Sequence, residues 1–188
     1  MKHILFLDIE VDRKGKVVDY GAFFGSKKLH DKSSFKLQEW IREAKYICGH
    51  NIISHDIPIL EKLFGEEIFD GKRIIDTLLW SPLLFPQNPY HKLVKGYQLV
   101  NEMDVNNPLS DSILAKNLFV DLVNKFNELR SNSKNVLYTL LGNNKDFRAF
   151  FEVAVYKEKR LVDLKSNSLI EVCSESNLED YKRNSSVE

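Results

Sequence analysis

The segment Ile4-Leu5-Phe6-Leu7-Asp8-Ile9-Glu10-Val11 constrains this chain more than any other, because it is an apolar, β-branched run of strand length with two acids set inside it. In a strand, side chains two residues apart share a face, so Asp8 and Glu10 project together while Leu7 and Ile9 project to the other side. Two neighbouring carboxylates drawn partly out of water repel each other, and the crowding is relieved when one takes a proton or a cation sits between them. Hard divalent cations such as Mg²⁺ prefer carboxylate oxygens, so an acid pair on a strand is the beginning of a metal site. The competing reading is a strand edge carrying two solvated acids. Choosing between them requires further acids that converge on the same place.

Composition limits the alternatives. With 188 residues, 43% hydrophobic and 29% charged, the chain suits one globular domain and a small appendage, and 12 Phe, 7 Tyr and 2 Trp supply enough apolar area to offset chain entropy. Lys plus Arg (27) equals Asp plus Glu (27), so bulk charge advertises neither a nucleic-acid nor a membrane surface, and binding to a polyanion would have to be local or metal-assisted. Cys48 and Cys173 match no Cys-x-x-Cys spacing, which suits a reducing compartment and predicts a cytoplasmic protein. The N-terminal apolar burst is cut at Asp8, too early for a signal peptide or a bilayer span, so no membrane partner is expected.

Pattern along the chain predicts a mixed sheet with helices on its faces. Ile4 to Val11 and Val17 to Phe24 read as strands joined by the polar turn Asp12 to Lys16, hence antiparallel. A third strand is expected over Ser33 to Leu37, after a turn at Gly25 to Lys28, and a short helix over Leu37 to Ala44. Tyr46 to Cys48 is a further apolar run. Helical spacing begins at Ser54, with Pro58 tolerated in the first turn, and Ile74 to Leu79 reads as a strand. Pro82 to Tyr90 reads as loop, Leu93 to Val100 and Ser110 to Phe126 as helices, the second starting at Asn107-Pro108. The polar stretch Arg130 to Asn135 looks like a boundary, followed by helices over Val136 to Leu141 and Phe147 to Tyr156 and a frayed end from Lys182.

Two more acids stand at places where side chains reach a sheet edge. Asp56 lies in Gly49-His50-Asn51-Ile52-Ile53-Ser54-His55-Asp56-Ile57-Pro58-Ile59-Leu60, where a short strand gives way to a helix. Asp111, in Asn106-Asn107-Pro108-Leu109-Ser110-Asp111, lies in the first turn of the long helix, where an acid is favourable to the helix dipole without any catalytic role.

This order of elements and acids resembles the three sequence motifs of the DEDD 3′-5′ exonucleases, the DnaQ-like branch of the ribonuclease H-like fold. Asp8-Ile9-Glu10 looks like the first motif, Gly49-His50-Asn51 with His55-Asp56-Ile57-Pro58-Ile59-Leu60 like the second, and Leu109-Ser110-Asp111-Ser112 with Ala115 like the third. The likeness spans roughly Met1 to Phe126, about two thirds of the chain. It implies an α/β, ribonuclease H-like three-layer fold with a mixed five-stranded sheet flanked by helices, with a core at 1–128 and a helical C-terminal extension at 129–188.

It also implies a metal-dependent 3′-5′ exonuclease acting on DNA. Asp8, Glu10, Asp56 and Asp111 would hold two Mg²⁺ or Mn²⁺ ions, one helping to make hydroxide from water, the other stabilising the leaving 3′ oxygen. RNA is the nearest alternative substrate. Nucleic-acid contacts are expected from Asn51, His55, Tyr90 and Lys92, with Phe23, Phe24 and Phe85 as further stacking candidates and Lys95 and Lys116 as phosphate contacts; Phe23 and Phe24 face opposite ways, so at most one can serve.

One departure stands out. The family usually carries His five residues before the last Asp, or Tyr four before it, and this chain has Asn106 and Asn107 there. Asn is no general base near neutral pH. Either His91 takes the role from another direction, or metal-activated water needs no side-chain base, or activity is reduced and the chain is a nuclease-fold module that binds nucleic acid or docks to a helicase partner. The Asn-Asn-Pro-Leu-Ser-Asp variant is also similar to exonuclease-like domains fused ahead of RecQ-type helicases, which would make 129–188 a connection toward a further domain.

Overall fold

Ile4–Val11 forms strand β1 and Val17–Phe24 forms strand β2, paired antiparallel across the Asp12–Lys16 turn. The turn is held by Asp12, whose Oδ1 accepts from the backbone N–H groups of Lys14 and Lys16, an arrangement that short acidic side chains favour. The computed structural model describes residues 3–93 and 107–154. Strand β3 is Lys27–Asp31, helix α1 Phe35–Glu43, strand β4 Tyr46–Gly49, helix α2 Asp56–Phe64, strand β5 Arg73–Asp76 and helix α3 Thr77–Leu84. A 3-10 turn at Glu66–Phe69 joins α2 to β5, and helix α4 runs from Pro108 to Glu128. Helices α5, Ser131–Leu141, and α6, Lys145–Val153, follow.

The sheet is mixed and five-stranded, in the order β3-β2-β1-β4-β5, with β2 antiparallel to both neighbours and β1, β4 and β5 parallel. The strand with the acids is therefore central. Its period of two divides the sheet into two different faces. Leu5, Leu7 and Ile9 enter one core with Leu37, Trp40 and Ile41 of α1, Leu60 of α2 and Ile68 and Phe69 of the 3-10 turn. The opposite face carries Phe6, whose ring lies 5.8 Å from that of Phe119 on α4, and then Asp8 and Glu10. Helices thus pack against both faces of the sheet.

Several elements differ from the sequence expectation. The third strand is Lys27–Asp31, not Ser33 to Leu37: Gly25 adopts a φ of +65° and closes a two-residue hairpin, so pairing resumes at once from Phe24 to Lys27. This strand has only Leu29 buried and so lacks an apolar signal, while Phe35 belongs to α1. The run Ile74 to Leu79 is half strand and half helix, because the Asp76 carboxylate accepts the Leu78 N–H and caps α3. Pro82 lies inside α3, held between buried Trp80 and Leu84, so the loop starts at Phe85. The polar stretch Ser131 to Asn135 is the first part of α5, and Asn144 caps α6 by accepting from Asp146 N–H. Positions 94–100 of the expected Leu93 to Val100 helix, Asn106, Tyr156 and Cys173 lie outside the described residues.

The chain divides into two compact units, Met1–Lys125 and Phe126–Glu188. In the second, Phe126 packs edge-on against Phe150 and Phe151 at 5.7 Å, and Tyr138 against Phe151 at 5.2 Å, which gives this small unit its own aromatic core. Among the described residues no helix is long and apolar enough to cross a membrane.

Candidate metal centre

Asp8 and Glu10 project from the exposed end of the central strand on its α4 face. Asp111, in the first turn of α4, meets them: one carboxylate oxygen from each of the three residues can be chosen so that all lie within 4.8 Å of one another, and all three residues are half-buried. Two features of the sequence deliver Asp111 to this point. Asn107 caps the helix, its Oδ1 accepting from Ser110 N–H at 3.1 Å, and Pro108 at the first helical position has no N–H to leave unpaired. Gly21 then lets the helix approach. It stands across from Asp8 in the β1–β2 ladder, and a Cβ built there would fall inside the backbone of Pro108 and Leu109.

Asp56 has a different placement. Only 1% exposed, it accepts at Oδ1 from the backbone N–H of Ile9 at 3.0 Å, the residue between Asp8 and Glu10, and its Oδ2 lies 3.4 Å from Nδ1 of His55. Asp56 thus ties the start of α2 to the acid-bearing strand and is not among the three converging carboxylates. Burial raises its carboxyl above the ordinary range, against the opposing pull of His55 and the Ile9 N–H. His55 is raised in turn, first by its hydrogen bond to Asp56 and further by the charges of Asp56 and Glu10.

The loop before α2 is organised by a residue with no place in the expected site. Asp76, 2% exposed, accepts from Asn51 N–H at 2.8 Å, Leu78 N–H at 2.9 Å and Ile53 N–H at 3.2 Å, so one carboxylate both caps α3 and shapes the Gly49–Ile53 turn. Asn51 takes a φ of +61° there, a conformation Asn tolerates better than most residues. An Asp immediately before a helical run is the available sequence signal for such a cap, as an isolated Gly inside a strand pattern is for the close approach at Gly21.

His91 is held at both ends. Its Nδ1 pairs with Ser81 Oγ at 2.9 Å, and its main chain is hydrogen-bonded by His50, whose Nδ1 pairs with Thr77 Oγ1 at 2.9 Å. Burial lowers the His50 imidazole below its ordinary range, although Asp76, the His91 main chain and Asp111 all pull the other way. Tyr90, 73% exposed, and exposed Lys92 flank this anchored residue. Phe23 lies under the Lys116 ammonium, 4.5 Å from ring centroid to Nζ, whereas Phe24 packs at 6.0 Å on Trp40 in the opposite core. Asn106 and Lys95 are outside the described residues.

A further acid lies on the same face: Asp19 stands across from Glu10 in the β1–β2 ladder, and its Oδ2 pairs with Nε2 of His30 on β3 at 2.8 Å. Like charges directly opposite across a ladder disfavour each other, and His30 gives Asp19 a partner away from Glu10.

The donor set suits a hard cation. Three carboxylates from two elements, half-buried and close enough to share an ion, form an oxygen-rich, anionic arrangement of the kind hard divalent cations prefer. No family model matches the chain, and no curated protein and no solved structure shows significant similarity to it.

Proposed function

We propose that the chain is a metal-dependent phosphodiester hydrolase of the ribonuclease H-like, DEDD type, removing nucleotides from the 3′ end of DNA, with RNA as the nearest alternative substrate. The observation that carries this reading is the convergence of Asp8, Glu10 and Asp111 within 4.8 Å, from the central strand and the last helix of the first unit. A mixed five-stranded sheet with helices on both faces and acids on the middle strand is the frame the sequence resemblance implies.

When bound, divalent metal supplies positive charge to the phosphate and lowers the cost of making hydroxide from water. The protein's own groups do the rest. Asp8, Glu10 and Asp111 would hold the metal; Asp56 fixes the strand that carries two of them through the Ile9 N–H. His55 stands next to Asp56 with 44% of its side chain exposed, where it can contact a phosphate or share a proton. Asn51, Tyr90 and Lys92 remain the proposed nucleic-acid contacts, and a helicase domain the proposed partner.

A second reading, a nuclease-fold module that binds nucleic acid with little turnover, draws on one observation. Asn107, four residues before Asp111, is committed to capping α4, and an Asn side chain accepts no proton from water near neutral pH.

A gel assay separates the two. The purified chain is incubated with 5′-labelled single-stranded DNA, 3′-overhang duplex or single-stranded RNA in Mg²⁺, Mn²⁺ or EDTA, with Asp8→Ala as control. A ladder shortening from the 3′ end that needs both metal and Asp8 supports the exonuclease. Intact substrate with a retained gel shift supports the binding module.

A further inference from the structure

Beside the acid cluster, a cavity of about 240 Å³ opens between α3, the 88–93 segment and α4. We propose that it is a subsite for one nucleobase of the bound strand, a deepening that rests on the nuclease reading for what lies next to it.

The same stripe of α4 serves both places. Leu114, Leu118 and Asp121 lie three, seven and ten residues beyond Asp111, a spacing that keeps them close to its side of the helix, and Asn117 borders the stripe. At about 1.5 Å per residue the cavity begins roughly 4.5 Å along the axis from Asp111 and extends to about 15 Å. A strand with a phosphate at the acids would therefore have a neighbouring base within reach of the cavity.

The lining is chemically suited to a base rather than to a phosphate. Leu114 and Leu118 offer an apolar wall to a flat ring, and the ring of Tyr90, 73% exposed, is available for stacking. Asn117 and Asp121 lie four residues apart on α4 and so are side by side, one offering amide donors and an acceptor, the other only acceptors; together they can meet the mixed donors and acceptors on a base edge. Charge points the same way. Lys92 is the cation of the lining and Asp121 its acid, so the cavity has no net positive charge with which to hold a phosphate. Its volume lies below the roughly 300 Å³ at which pockets for drug-sized ligands begin, which fits a single base with its sugar. The wall opposite α4 is held in place, because His91, between Tyr90 and Lys92, is fastened to both Ser81 and His50.

The test uses the full chain in EDTA, so that no metal contributes to binding, with ligand-observed NMR of dCMP, dAMP and 2-deoxyribose 5-phosphate. Saturation should reach the base protons of both nucleotides more than their sugar protons, and the sugar phosphate should not bind. Asn117→Trp, which fills the cavity from an exposed position, should weaken nucleotide binding at least fivefold with unchanged circular dichroism, and Asn117→Ala should weaken it less. Equal binding of the sugar phosphate, no nucleotide binding, or unchanged binding by Asn117→Trp would overturn the subsite. Cleavage is assayed separately on wild type and Asp8→Ala: nucleotide binding as expected without Asp8-dependent cleavage leaves the base subsite standing and removes the nuclease reading, and the reverse pattern removes only the subsite.

Discussion

Gly21 stands across the β1–β2 ladder from Asp8, and the first turn of α4 occupies the space that a side chain at Gly21 would need. The helix carrying Asp111 is thus seated directly over the strand pair that carries Asp8 and Glu10. Gly21→Ala should therefore do two things at once. Overpacking against backbone should cost about 1–3 kcal/mol of stability, and displacement of α4 should weaken Mn²⁺ binding. Urea unfolding and a Mn²⁺ titration read the two effects; a variant normal in both would mean the helix does not depend on this contact.

Removing one of the converging acids separates stability from function. Asp111→Asn relieves repulsion among three close carboxylates, so the metal-free protein should gain up to about 1 kcal/mol. The rise in Tm that Mg²⁺ or Mn²⁺ produces by binding the folded state should vanish. Thermal melts in EDTA and in Mn²⁺ test this, and a Mn²⁺ response equal to that of wild type would locate the ion elsewhere.

Asp76 should matter for folding more than its place outside the acid cluster suggests. Asp76→Ala removes the acceptor for the N–H groups of Asn51, Ile53 and Leu78 in a buried setting. The loss should be about 3 kcal/mol or more, with Asp76→Asn intermediate. Equilibrium denaturation measures it; a change of only a few tenths would show that water replaces the carboxylate.

His55 should titrate above its ordinary value of 6.5, since Asp56 holds the imidazolium and Glu10 adds to it. Because the folded-state value is raised, the stabilisation from this contact is complete below pH 6.5 and is lost as pH rises through the folded-state value. The side chain is 44% exposed, so solvent screening keeps the effect on stability small. An NMR titration should show the raised value, and Asp56→Asn should return it toward 6.5. A His55 shift that survives the substitution would assign the effect to Glu10.

Cys48 should be inert in the folded protein, because complete burial, reinforced by the Asp76 charge, raises its thiol well above 9.0. Iodoacetamide at pH 8 followed by peptide mapping should label Cys48 only after denaturant is added. Labelling of the native protein at the rate of a free thiol would contradict the burial.

Much of this was legible from residues alone. The limits of β1 and β2 follow from apolar runs bounded by a Gly-containing polar turn, and the start of α4 follows from Asn-Pro, because these signals act over a few neighbouring residues. The Asp8–Glu10 pair is dictated by strand periodicity, whatever the rest of the chain does. Other features depend on partners distant in sequence. β3 has one buried residue and exists because β2 offers it an edge; α3 begins where it does because Asp76 turns its carboxylate onto Leu78 N–H while also holding a turn some 25 residues earlier. The meeting of Asp111 with Asp8 spans 103 positions and depends on a glycine in a third element. Asp56 stands close in the pattern of acids, yet it is not one of the three that converge, its Oδ1 accepting from Ile9 N–H and its Oδ2 lying 3.4 Å from His55 Nδ1. The local elements and the set of available acids can be read from neighbouring residues, since dihedral preference and periodicity are local; which acids meet is a property of the folded chain, because convergence depends on the close approach of backbones that no single segment encodes.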